Sequence, residues 1–257
     1  MLFFRWTLLL TLSGLALAYP APAEDLSKRA PSKRETPLNA FLSTLLEYLP
    51  PINGAIDTVV GVLTDFETLL GDLTGDQETY NQLGVGPCTE YTLIFARGTS
   101  EPGNVGILVG PPFIDALQDL VGSSALTVQG VNNYAASVDG YLAGGDPEGS
   151  SEMAKQIEQA YALCPNTKLV ASGYSQGGQL VHNAAELLPQ NVAEWISSVV
   201  IFGDPDSSSP VANVPASKVD IICHAGDNIC VNGVLILPAH LTYAVNAAAA
   251  AQFVVSH

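Results

Sequence analysis

Two apolar stripes with helical spacing stand out early in the chain. Leu38, Phe41, Leu42, Leu45, Leu46 and Leu49 fall at i, i+3, i+4, i+7, i+8 and i+11, one face of an α-helix. Pro50-Pro51 ends that run, because proline lacks the amide N–H and disfavours helix in the residue before it. Ile52, Ile56, Val59, Val60, Leu63, Phe66, Leu70 and Leu73 repeat the stripe until Gly84, Gly86 and Pro87 interrupt it. Residues 35–84 therefore read as an amphipathic helical extension. From Cys88 the texture changes to unbroken apolar runs alternating with helical patterns. Strands are expected at 91–96, 125–131, 168–172, 197–202 and 219–223, and helices at 112–120, 150–164, 176–188 and 239–253. In the second of these helices Met153, Ile157, Ala160, Tyr161 and Cys164 share a face. Such alternation predicts an α/β domain over 85–257, in three layers, with a central, mostly parallel five-stranded sheet covered on both sides. Sites in such sheets lie at the carboxyl ends of the strands.

Before these stripes, Arg5 precedes a Leu-dominated run over 6–18 that closes on Ala16-Leu17-Ala18. A basic start, a short apolar centre and an A-x-A end describe a secretory signal peptide, 1–18, and a secreted, extracellular protein. The run is shorter than the roughly 20 residues that span a bilayer, so no transmembrane segment is expected. Lys28-Arg29 and Lys33-Arg34 suggest that 19–34 is a propeptide trimmed at dibasic sites, the alternative being an uncleaved tail. With 257 residues and 47% hydrophobic content, the chain suits one domain plus leader segments. Nine basic against 25 acidic residues give a net charge of −16, which argues against nucleic acid as a partner. It also disfavours anionic lipid heads, so any lipid contact is expected through apolar surface. A monomer is expected.

Four cysteines, Cys88, Cys164, Cys223 and Cys230, bound for an oxidising space favour two disulfides, and three pairings are open. Zinc is the competing use, but no C-x-x-C or H-x-x-x-H spacing supports it, and no metal is expected.

The strongest chemical signal is Gly173-Tyr174-Ser175-Gln176-Gly177, placed after one apolar run and before a helical pattern. A nucleophile elbow needs that strand–turn–helix setting, with glycines flanking the sharp turn where the neighbouring backbone passes close, and free N–H groups at the helix start to stabilise an oxyanion. The five residues alone are a weak signal in a chain with 23 glycines; the context carries it. A serine needs a base. His182, seven residues beyond Ser175, reads as a helix-surface or packing residue, and His257 ends the chain. His224 and His240 both follow the last strand, in the order Ser…Asp…His. His224 would need Asp204, Asp206 or Asp220. His240 can take Asp227, held between Cys223 and Cys230, with Asp204 as the main rival acid and an equally good turn or cap residue.

Together with these motifs, Phe95-Ala96-Arg97-Gly98-Thr99-Ser100-Glu101, Cys223-His224-Ala225-Gly226-Asp227-Asn228-Ile229-Cys230 and Pro238-Ala239-His240 resemble the signatures of the fungal cutinase family, over Cys88 to about Phe253. The most specific element is the acid inside C-x-x-x-D-x-x-C with a His ten residues beyond the second Cys. The resemblance implies an α/β-hydrolase with Ser175 as nucleophile, Asp227 as acid and His240 as base. It implies an oxyanion hole at Thr99, where the family commonly has Ser, and Gln176, and disulfides Cys88–Cys164 and Cys223–Cys230. It implies hydrolysis of cutin-like polyesters and soluble acyl esters through an acyl-enzyme, with no cofactor. Residues 35–84 resemble the N-terminal region of Trichoderma-type cutinases, a possible lid over the site, an interface-binding element or plain core packing. An apolar interface or amphiphile is then a possible partner. An acetylxylan-type or lipase-like esterase of the same fold is the rival enzyme, and a secreted surface-active or host-binding protein with a vestigial triad the rival of another class.

Overall fold

The computed structural model describes residues 36–257, so the expected signal peptide and propeptide lie outside the described residues. The extension forms α1 (Pro37–Tyr48), a two-residue strand β1 (Gly54–Ala55) and α2 (Ile56–Thr74). Thr36 caps α1, its hydroxyl accepting from the Asn39 N–H, with Pro37 at the first helical position where its missing N–H costs nothing. Gly75, left-handed at φ 68°, ends α2.

Five strands, β2 (Tyr91–Ala96), β3 (Leu126–Gly130), β4 (Lys168–Tyr174), β5 (Ser198–Phe202) and β6 (Val219–Ile222), make one sheet in the order β3-β2-β4-β5-β6, every pair parallel. Alternate side chains leave the sheet on opposite faces. Leu93, Phe95, Val170, Val200 and Phe202 meet α3 (Gly110–Val121) and α8 (Ala247–Val255) in one core, which α1 and α2 complete with Phe41, Leu45, Ile56, Leu63, Phe66 and Leu70. Ile94, Leu169, Ala171, Val199 and Ile201 meet α5 (Pro147–Leu163), α6 (Gln176–Leu187) and α7 (Gln190–Trp195) in the other. Cys88–Cys164 joins the entry of β2 to the end of α5, and Cys223–Cys230 closes the loop after β6.

Several boundaries differ from the expectation. The helix expected from 150 starts at Pro147, because Asp146 caps it by accepting the Gly149 N–H. The helix expected over 239–253 is split into a 3-10 segment (Pro238–Asn246) and α8, with Thr242 off helical geometry. The reason is competition for carbonyls: Tyr174 donates to His240 O, while Thr242 Oγ1 and the His224 ring donate to Ala239 O. The short α4 (Val138–Leu142), α7, and the pairing of β1 with β7 (Leu235–Ile236) have too few residues to leave a periodic signal.

Candidate active site

β4 ends at Tyr174 and α6 begins at Gln176, so Ser175 alone turns the chain, at φ 56° and ψ −121°. A non-glycine residue held there stores about 1–3 kcal/mol, and its surroundings enforce it. The Ser175 N–H donates to Phe202 O at 2.9 Å. A Cβ on Gly173 would strike the Gly177 carbonyl, and one on Gly177 the Ala96 carbonyl, so strand and helix pack this tightly only with glycine flanks.

The strand order explains the site's position. β3 lies on one side of β2, and β4, β5 and β6 on the other, so the connections diverge between β2 and β4. Thr99 follows β2 and Ser175 follows β4, which sets them side by side. Gln176 Nε2 donates to Thr99 Oγ1 at 2.8 Å and to Ser137 O at 2.9 Å, tying the elbow to the loop. Buried Glu101 shapes that loop by accepting the N–H groups of Gly98, Ile107 and Leu108. As the first residue of α6, Gln176 has a backbone N–H with no helical acceptor.

Ser175, His240 and Asp227 come together from the ends of β4 and β6 and from the 3-10 segment. His240 Nε2 lies 2.9 Å from Ser175 Oγ, and its Nδ1 lies 2.8 Å from Asp227 Oδ2. A carboxylate only accepts, so Nδ1 carries the proton and Nε2 is free to accept from the serine. Asp227 also accepts the Ile229 N–H at 3.0 Å and the Tyr243 hydroxyl at 2.7 Å. Burial pushes its carboxyl up, but the hydrogen bond and charge of His240, then the other two donors, outweigh it and leave it below the usual carboxylate value. Two residues that the sequence reading did not single out complete the frame. Tyr174 stacks on the His240 ring at 5.1 Å and donates to its carbonyl, and Tyr243 donates to the acid while accepting the His224 N–H. Their signal was a tyrosine inside the elbow motif and another three residues after His240.

The other candidates are engaged elsewhere. His182 is buried rather than on the helix surface, with Nε2 3.0 Å from Asp204 Oδ2. Asp204 is fully buried and caps the turn at Asp206, so the rival acid is occupied by another histidine. His224 donates through Nδ1 to Ala239 O and pairs with Asn246, so its ring nitrogens are engaged by groups other than a serine. Among the described residues no group of three or more His, Cys, Asp or Glu is placed to hold a metal ion.

A cutinase family model matches residues 87–257. The chain belongs to the cutinase family. It is a carboxylic ester hydrolase, as its cutinase relatives are. The cutinase of Botryotinia fuckeliana is 59% identical over 167 residues, covering 65% of this chain and 82% of that one. The cutinase of Hypocrea jecorina (strain QM6a) is 47% identical over 245 residues, 95% of this chain and 94% of that one, so its likeness reaches into the extension. The solved structure of Trichoderma reesei cutinase in complex with a C11Y4 phosphonate inhibitor has 48% identity and a TM-score of 0.71, covering 85% of this chain and 97% of that one. The part of this chain outside the cutinase family match contributes directly to the site. Ile56, Leu63 and Glu67 of α2 line a pocket with Thr99, Ser175 and His240, and its volume is about 10 Å³, room for about one water-sized sphere. Ser175 is 3% exposed.

Proposed function

We propose that this cutinase acts as a secreted serine esterase on cutin-like polyesters and soluble acyl esters, through a Ser175–His240–Asp227 triad and an acyl-enzyme. The observation that carries the reading is the unbroken chain of hydrogen bonds from Ser175 Oγ through His240 to Asp227, mounted on a strained elbow. His240 Nε2 takes the hydroxyl proton as Oγ bonds to the ester carbonyl carbon, and Asp227 stabilises the imidazolium. The Thr99 and Gln176 N–H groups receive the oxyanion, a donor of this kind being worth about 3 kcal/mol in the transition state. Collapse breaks the ester C–O bond, and His240 returns the proton to the departing alcohol. Water, deprotonated by the same imidazole, bonds to the acyl carbon, the C–Oγ bond breaks, and His240 returns the proton to Ser175 as the acid leaves. Secretion rests on the leader pattern of residues 1–18.

Residues 35–84 are, in the same reading, an extension whose α2 is a lid. Its support is the narrow pocket: Ile56, Leu63 and Glu67 of α2 line it beside a buried serine that an ester carbonyl must reach. Opening α2 exposes apolar area, so an amphiphile offers that face another partner and shifts the population toward the open form.

Ser175→Ala tests the triad. Turnover of short p-nitrophenyl esters is expected to fall by about 10⁴–10⁶-fold with the fold intact by circular dichroism, and fluorophosphonate labelling is expected to vanish. A variant that keeps near wild-type turnover would overturn the reading.

A further inference from the structure

One carboxyl stands among the apolar residues that α2 presses onto the site. Glu67 is 2% exposed and shares the pocket of Ser175 and Thr99, whereas the other acids of α2, Asp57, Asp65 and Asp72, are exposed to water. Ser100 Oγ lies 3.4 Å from Glu67 Oε2 and donates to it, so this side chain ties α2 to the loop that carries Thr99. The surroundings suit a neutral acid and not an anion. Arg97 and Glu101 face it from that loop, Glu78 from the segment after α2, Tyr174 from the end of β4 and His240 from the 3-10 segment. The one permanent cation, Arg97, is spent on the carbonyls of Glu101 and Tyr134.

We propose that Glu67 is a proton-operated latch: as the neutral acid it seats α2 over Ser175, and loss of its proton releases the helix toward the open form. The inference rests on the reading of α2 as a lid and adds how that lid is regulated. In the closed position burial, then the charge of Glu101, push the Glu67 carboxyl up to about 9. In water a glutamate titrates near ~4.3. The closed form therefore holds the proton more tightly than the open form. Its advantage is full below the open-state value and is lost as pH rises through about 9, closure weakening by up to about tenfold per pH unit between the two.

The test compares the full-length wild type with E67Q, an isostere that cannot ionise, and with E67L, which keeps the site apolar. Covalent labelling by a long-chain phosphonate is timed with and without nonionic detergent, from about pH 7 to about pH 9.5, with circular dichroism to select folded variants. The ratio of the two rates cancels the titration of the triad itself. The wild-type ratio is expected to be large at neutral pH and to shrink by about tenfold or more over that range, while the ratios of the folded variants stay large and constant. A wild-type ratio that does not change with pH, or variant ratios that shrink in parallel with it, overturns the latch and leaves the lid standing. A wild-type ratio of one throughout overturns both.

Discussion

Asp204 and Asp227 each follow a strand of the sheet, are both buried and both hold a histidine, yet only the histidine on Asp227 reaches a serine. Spacing alone could not separate them, because the difference lies in which strand-end loop faces the elbow. Asp227→Asn is expected to lower kcat by about 10⁴-fold, since an amide in place of the carboxylate favours the wrong imidazole tautomer. Asp204→Asn is expected to keep kcat near wild type while costing about 3 kcal/mol of stability, because it breaks a buried pair. Paired kinetics and thermal melts decide, and the reverse pattern would move the acid to Asp204. Tyr243 acts one bond further out. Tyr243→Phe removes one donor from Asp227, a bond to a charged group worth about 1.5–3 kcal/mol, so kcat is expected to fall by about tenfold or more with KM nearly unchanged. A variant that melts earlier with kcat untouched would reduce Tyr243 to a packing residue.

Helical periodicity made α1 and α2 legible as amphipathic elements, since their apolar spacing is long and regular. What it left open was the partner of each face. Leu46 and Leu73 belong to the stripes and are exposed, while Glu67 breaks the second stripe and is buried. Burial of Phe41, Leu45, Ile52, Ile56, Leu63, Phe66 and Leu70 is worth about 1.5–3 kcal/mol each, gross, and four of the seven lie on α2, so the proposed opening of that helix costs several kcal/mol that an amphiphile has to offset. The 3-10 segment was illegible because tyrosine and histidine side chains distant in sequence take its carbonyls. Loop length sorts the two disulfides by role. Cys88–Cys164 spans 76 residues and Cys223–Cys230 spans 7. Chain-entropy cost predicts losses of about 4–5 and about 2–3 kcal/mol on removal. The short loop carries Asp227, so Cys223→Ser with Cys230→Ser is expected to cost less in melting temperature and more in kcat than the pair Cys88→Ser with Cys164→Ser. Equal activity loss in both double variants would detach the short loop from orientation of the acid.

At the scale of the whole molecule the acidic charge and the exposed apolar residues of α2 act on the same encounter. Residues 35–257 carry four basic and 23 acidic side chains, a formal charge of −19. Three of those cations are tied down, Arg97 and Lys218 on carbonyls and Lys168 on Tyr91. The outward face of α2 combines exposed Val62, Leu69 and Leu73 with exposed Asp57, Asp65 and Asp72, and α2 has no basic residue. Leu142, Val234 and Leu235 add further exposed apolar surface beyond the helix. Such a surface is drawn to uncharged apolar interfaces by area burial and repelled by anionic ones. Nonionic micelles are therefore expected to accelerate long-chain ester hydrolysis several-fold at any ionic strength. Anionic micelles of equal apolar content are expected to fail at about 0.01 M salt, where charges reach about 30 Å, and to recover activation at about 1 M, where they reach about 3 Å. The measurement is initial rate against salt for the two amphiphiles, below the concentration at which either unfolds the protein. Anionic activation that matches the nonionic value at low salt would separate the acidic charge from interface choice, whereas recovery with salt ties interface choice to that charge.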